Sequence, residues 1–527
     1  MLQLHVRKYC TLAKKYLDKK MHPRHFAKTT PNKAAYIMAS SGDVITYAEL
    51  DKLSNQGAQL FQSLGLNTGD HIAIHMENNL HFMAIVWAAQ AAGLAYTAVS
   101  THLRDEEIAY IINDSHAKVL ISSKALAPLA LTIHPLLKNI AQCFMVNGCI
   151  DGFTSWEEEI DKQPNKPTDN NTGGVQMLYS SGTTGNPKGI LPSQSGLKID
   201  QMIPAADILR QAFGFNDSTI YLSPAPLYHA APLTYNTITM YGGGTCIIME
   251  KFDPERCLQL IEQYKVTQSQ WVPIMFVRML RLPEEVRNQY DLSSHKLAIH
   301  AAAPCPEEIK HQMIDWWGEI IFEYYGGTEG IGFTALNSQQ WLEHPGSVGY
   351  PLNSELKLLD DDGNEVPQGE IGDIYFVGAS EKFCYYNAPE KTAKSLTPEG
   401  WGTLGDTGYL DKDGFLYLSD RKDFMIISGG VNIYPLEVEN KLIMHEEVAD
   451  VAVFGINNEE FGQEVKAVIQ PLVWPVDEEA LERRIKEWTL AQLSAIKTPR
   501  SIDFIKELPR LENGKLYKRY LQQQYEQ

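Results

Sequence analysis

Residues 179–189 read Tyr-Ser-Ser-Gly-Thr-Thr-Gly-Asn-Pro-Lys-Gly. Gly182, Gly185 and Gly189 let backbone N–H groups approach an anion without a Cβ in the way, Ser180, Ser181, Thr183 and Thr184 add hydroxyl donors, and Lys188 adds a positive charge. Phosphate is the guest such a loop suits. It is not a Walker loop, which needs Gly-x4-Gly-Lys-Ser/Thr: counted from Gly182, Pro187 falls where the second glycine belongs, and Gly189 follows the lysine.

On the N-terminal side, the polar segment 161–174 reads as a surface connection leading into this loop. Further out, Thr46 and Glu49 have capping-box spacing, and Leu50, Leu53, Leu60, Phe61 and Leu64 fall on one helical face that Gly65 is placed to stop. The apolar stretch 82–99 holds Gln90, Gly93 and Thr97, and so reads as a buried helix running into a strand. Short β-rich runs such as 118–121 and 270–272 alternate with helical patterns up to about residue 340, the signature of α/β layering. Beyond that, glycines at 363, 369, 372, 402, 405, 408 and 414 punctuate short strands such as 373–377, which implies a β-rich subdomain. After about residue 423 the pattern becomes a compact α+β unit, with strands at 449–454 and 466–472 and a helix started by Asp477 that carries Leu481, Ile485 and Trp488. The expected architecture is α/β: a large domain over 1–422 and a small mobile α+β domain over 423–527, with the hinge near Asp423.

Bulk properties narrow the function. A chain of 527 residues has room for several domains and a large core. Its formal charge of -19 disfavours unspecific nucleic-acid binding, which needs a basic surface. The seven cysteines are odd in number, scattered and never in C-x-x-C, so they suggest neither a disulfide framework nor a zinc site. The basic first twenty residues lack the apolar core of a secretory signal, and a reducing, cytoplasmic setting is expected. Membrane contact by that basic start and a homodimer both stay open.

The loop has companions in a fixed order: Tyr228-His229, Tyr325-Gly-Gly-Thr328-Glu329, Gly405-Asp406, Asp420-Arg421-Lys-Asp423, Gly429-Gly430 and Gly514-Lys515. Together they resemble the motifs of the adenylate-forming superfamily, which comprises acyl-CoA synthetases, luciferases and peptide-synthetase adenylation domains. The resemblance runs from about residue 25 to the end. It implies an ATP-dependent ligase that converts a carboxylate to an acyl-adenylate with release of pyrophosphate and passes the acyl group to coenzyme A with release of AMP.

Residue roles come with the resemblance. Ser181, Gly182, Thr183, Thr184, Gly185 and Lys188 match the phosphate loop, Thr328 an α-phosphate contact and Glu329 the holder of a magnesium ion. Ala302, Ala303 and Pro304 match one wall of the adenine site and Tyr325 the ring opposite, while Asp406 and Arg421 match ribose contacts. His229 matches a position beside the reacting carboxylate. It is not assigned as a base, because a carboxylate is already ionised at neutral pH. Lys515, in a basic tail on an acidic protein, matches the residue that bridges carboxylate and α-phosphate. Asp423 matches the hinge, and Gly429 and Gly430 a loop that meets the pantetheine arm after the small domain turns.

Two positions depart from the family pattern: Ser193-Gln194 stands where Ser/Thr-His is usual, and Asn513 where Thr is usual. The acyl pocket is expected to be lined by His229, Trp271, Gly327, Gly330 and Ile331, leaving room for a medium- or long-chain fatty acid or a ring-bearing apolar acid. A carrier-protein arm in place of CoA and a non-catalytic nucleotide-binding homologue are the alternatives. A serine hydrolase is disfavoured by the lack of any Gly-x-Ser-x-Gly elbow.

Overall fold

The computed structural model describes residues 22–180, 187–192, 197–352, 354–378, 384–421, 424–458, 460–510, 516 and 518–525. A parallel six-stranded sheet is built on His71–His75, Ala117–Ser123 and Ala95–Ala98. Beside it lies a nine-stranded sheet. Its parallel part runs in the order Ile321–Gly326, Leu297–His300, Gln268–Trp271, Ile220–Ser223, Thr245–Ile248, Ala34–Met38, with antiparallel strands added at both edges. Strand–helix alternation forces this arrangement, because parallel neighbours need crossovers that place helices on the sheet faces.

The two sheets share one core. The helix Tyr47–Ser63 starts at Thr46, whose side chain accepts from the Glu49 amide while the Glu49 carboxylate takes the Thr46 amide at 2.8 Å. Leu50, Leu60 and Phe61 are buried as their spacing requires, but Leu64 caps the helix and is 40% exposed, so the apolar stripe ends a turn early. The Ala-rich helix Phe82–Ala92 is buried on every side, stops at Gly93 in the left-handed conformation and feeds the strand Ala95–Ala98. Its Trp87 meets Tyr241, on the helix Ala230–Tyr241, with ring centres 4.9 Å apart. The contact ties the two sheets' helical layers together. Among the described residues no helix is long and apolar enough to cross a membrane.

A four-stranded antiparallel sheet, Glu355–Leu359, Gly372–Val377, Asp406–Leu410 and Leu416–Arg421, forms the expected β-rich part. The C-terminal unit is a five-stranded sheet around the long pair Val448–Asn458 and Gly462–Pro471, flanked by Pro435–Leu442, Glu478–Gln492 and Lys518–Tyr525. Asp477 caps Glu478–Gln492 by accepting from the Ala480 amide, Leu481 and Ile485 are buried, and Trp488 meets His445 edge-on.

Under the nine-stranded sheet, Lys310 Nζ donates to Glu323 Oε2 at 2.5 Å, and both side chains are nearly fully buried. Burial pushes the Glu323 carboxyl up, and the Lys310 cation also lies 4.9 Å from the centre of the Trp341 ring. Removing one partner strands the other charge in a low-dielectric interior. Lys310→Met is therefore expected to destabilise the fold by about 3 kcal/mol in urea titration, and Lys310→Met with Glu323→Leu to recover most of that loss.

Candidate active site

Four neighbouring strands, Ile220–Ser223, Gln268–Trp271, Leu297–His300 and Ile321–Gly326, run parallel and present their carboxyl ends along one edge. Open α/β sheets bind ligands there, because the connecting loops converge on that edge. The segments that follow the strands supply His229, the run 301–304 and the run 325–330, all lining a cavity of about 800 Å³.

Each feature has a local cause. His229 is the N-cap of the helix Ala230–Tyr241, and its ring stands edge-on to Tyr228 at 4.6 Å. Ala302 has φ 75°, a left-handed conformation that a side chain adopts only under constraint from its surroundings. The Tyr325 hydroxyl donates to Asp406 Oδ2 at 2.7 Å, and its ring stacks on Phe376 with centres 6.1 Å apart. Thr328 Oγ1 lies 3.4 Å from Glu329 Oε2. A Cβ on Gly327 would fall 2.4 Å from Leu404 Cδ2 and 2.5 Å from Glu329 Oε2, so any side chain there would displace the ends of both.

Tyr385 was not legible as a site residue. Its hydroxyl donates to Glu329 Oε1 at 2.8 Å, and Lys188 Nζ stands 4.7 Å from the centre of its ring. One aromatic side chain thus joins the lysine of the phosphate-loop hairpin to the acidic residue of the 325–329 run. The signal was weak: Tyr385-Tyr386-Asn-Ala-Pro-Glu is a turn-like string carrying two rings and no chemistry of its own.

The cavity gathers His229, Lys188, Ala302, Ala303, Pro304, Tyr325, Gly327, Thr328, Glu329, Gly330 and Asp406. Ser181, Gly182, Thr183, Thr184, Gly185, Asp423, Lys515, Ser193, Gln194 and Asn513 lie outside the described residues. The flanks of the phosphate loop are described: Leu178–Ser180 and Lys188–Ile190 pair antiparallel. Arg421 is placed only through its backbone, which pairs with Asp406. Gly429 and Gly430 form an exposed turn with φ 57° and 79°, away from the cavity lining.

Two lining expectations need correction. Trp271 is fully buried on the opposite sheet face, against Phe276 and Trp317, because alternate strand residues point to opposite sides; Gln270 lines the cavity in its place. Ile331 is 2% exposed and packs with Phe376 and Leu416 under the antiparallel sheet. Leu209, Ala231, Tyr235, Ile274 and Val277 line the cavity in their place. Leu436, Ile443, Val451, Arg510 and Leu516 line the cavity from the C-terminal unit.

Comparison with known proteins agrees with this geometry. The AMP-binding enzyme family matches residues 23–386, and the AMP-binding enzyme C-terminal domain matches residues 437–515. The chain belongs to the AMP-binding enzyme family, in the two-domain adenylate-forming fold. It is 30% identical over 509 residues to the long-chain-fatty-acid–CoA ligase FadD13 of Mycobacterium tuberculosis, covering 95% of this chain and 97% of that one. It is 30% identical over 505 residues to a feruloyl-CoA synthase of Amycolatopsis, covering 94% and 96%. Among solved structures, the anthranilate CoA ligase AuaEII in complex with anthranoyl-AMP superposes with TM-score 0.80 at 26% identity, covering 96% of each chain. ATP-bound MatB from Rhodopseudomonas palustris superposes with TM-score 0.77 at 26% identity, covering 96% of this chain and 99% of that one.

Tyr385→Phe keeps the ring beneath Lys188 and deletes the donor to Glu329. Loss of one hydrogen bond to a charged group is expected to lower ATP-dependent pyrophosphate release about tenfold, and Tyr385→Ala to lower it further.

Proposed function

We propose that this protein is an AMP-forming acyl-CoA synthetase acting on a medium- or long-chain fatty acid or a bulky apolar acid. One observation carries the reading: residues suited to a triphosphate (Lys188, Thr328, Glu329), to a nucleoside (Ala302, Tyr325, Asp406) and to a carboxylate (His229) line the same cavity, whose remaining wall is largely aliphatic. The names of the relatives support an acyl-CoA product, while their acids differ.

In the first step a carboxylate oxygen attacks the α-phosphorus, the α–β P–O bond breaks, and pyrophosphate leaves. Both reactants are anions, so the protein's part is to hold them in line and offset their charge. Lys188 and the hydroxyls of the phosphate loop hold the β and γ phosphates, Thr328 the α phosphate, and Lys515 bridges the α phosphate and the carboxylate. Asp406 and Arg421 hold the ribose. His229, fixed as a helix cap beside Tyr228, orients the carboxylate. The carboxylate of Glu329, with the Thr328 hydroxyl beside it, is the hard oxygen donor set a magnesium ion takes, and the ion would supply further neutralisation of the phosphates.

In the second step the CoA sulfur attacks the acyl carbonyl carbon, the bond to AMP breaks, AMP leaves and the thiol proton passes to solvent. The thiol needs a path to the acyl carbonyl, and the C-terminal unit supplies part of the cavity wall it would have to pass. We therefore assign Asp423 as the hinge between 1–422 and 423–527, and Gly429 and Gly430 as the loop that meets the pantetheine arm once the unit has turned.

A panel of carboxylic acids tested for CoA-dependent AMP release checks the reading, and a signal that does not depend on the acid would refute it. Lys515→Ala is expected to slow acid-dependent pyrophosphate exchange by roughly 10²–10³ while leaving thioester formation from supplied acyl-adenylate largely intact. Asp423→Pro should do the reverse, impairing the thioester step more than adenylation.

A further inference from the structure

Arg281 belongs to the segment matched by the large family domain, yet its side chain serves the small one. It caps the helix Pro273–Leu280. From there Nη1 donates to the Ala449 carbonyl at 2.8 Å, and Nη2 to the carbonyls of Val448 at 2.5 Å and Ile443 at 3.3 Å. All three acceptors lie within 437–515, the matched C-terminal domain.

Local structure explains why these carbonyls are available. Ile443 caps the helix Pro435–Leu442, where the last carbonyls have no intrahelical donor and carry the negative end of the helix dipole. The pairing of Val448–Asn458 with Gly462–Pro471 shifts register between Val448 and Asp450, which takes residue 449 out of the regular ladder. The next side chain, Asp450, is 4% exposed and is gripped by Arg510 at 2.5 and 2.7 Å. Its negative charge also favours the Arg281 cation, against the burial that lowers that group's pKa. Ile443, Asp450 and Val451 line the cavity, so Arg281 holds the very wall that the small domain contributes.

We propose that Arg281 is a positioning residue that latches the small domain in the orientation in which the adenylate forms, and that lets go of the three carbonyls when the domain turns for the thioester step. The proposal rests on the two-step reading above. In the turned state water replaces the arginine at the carbonyls and the carbonyls at the arginine, so the latch biases the equilibrium without making the turn irreversible. A second contact across the same divide, Arg104 over the Tyr520 ring at 4.7 Å, lies outside the latch.

Arg281→Met keeps the stem and removes the donors. In single-turnover assays acid-dependent pyrophosphate release is expected to fall about tenfold, while thioester formation from supplied acyl-adenylate and CoA holds its rate or rises; Arg281→Lys should fall between. Equal losses in both half-reactions, or no loss in either, would overturn the latch. X-ray scattering in solution gives a readout independent of activity: the unaltered protein should fit the arrangement described here and Arg281→Met should depart from it, and superimposable curves would refute the proposal. Should Arg281→Met not fold, Arg281→Lys goes through both measurements under the same criteria. Unaltered protein that forms no adenylate from any acid would count against the two-step reading instead, and the scattering comparison would still decide the latch.

Discussion

Like charges set the terms of this molecule. A triphosphate and a carboxylate repel one another, and the repulsion grows as water leaves the space between them. A protein that joins them has to gather cations and oriented donors from different parts of the chain. Here the gathering is done by parallel strands that end on one edge: His229 follows Ile220–Ser223, the 301–304 run follows Leu297–His300, and the Tyr325 to Glu329 run follows Ile321–Gly326. Lys310 pairs with Glu323 on that last strand, and the Tyr385 ring lies between Lys188 and Glu329. The chain as a whole stays strongly acidic, with a formal charge of -19, while Lys188 faces the cavity.

What could be read from the sequence was whatever the backbone itself dictates. The capping box at Thr46 and Glu49, the buried Ala-rich helix and the helix begun by Asp477 all formed where local spacing placed them. Among the described motif residues, His229, the 301–304 run and the 325–329 run converge because their order along the chain is the order of neighbouring strand ends. Trp271 was misplaced for a simple reason: neighbours on a strand face opposite ways, so a one-residue ambiguity exchanges core for cavity, and Gln270 is the residue on the cavity side. Leu64 fitted the helical stripe but fell at the cap, where the stripe no longer faces the core. Tyr385 and Arg281 were invisible for a different reason. Their partners are 56 and 168 residues away, and no spacing rule connects a lone ring or a lone arginine to a distant carboxylate or carbonyl.

The cavity has walls of two kinds. Tyr325, Ala302 and Thr328 stand on strand ends, whereas Ile443, Val451 and Leu516 belong to the C-terminal unit. On the proposed chemistry the strand-end wall stays with the acyl group through both half-reactions, whereas the other wall is withdrawn before the product is made.

The divided wall also bears on inhibition. A molecule reaching from Tyr325 across to Val451 would touch two bodies that the reaction must separate. It would act less as a plug than as a staple, with its residence time governed by the work of prising the halves apart.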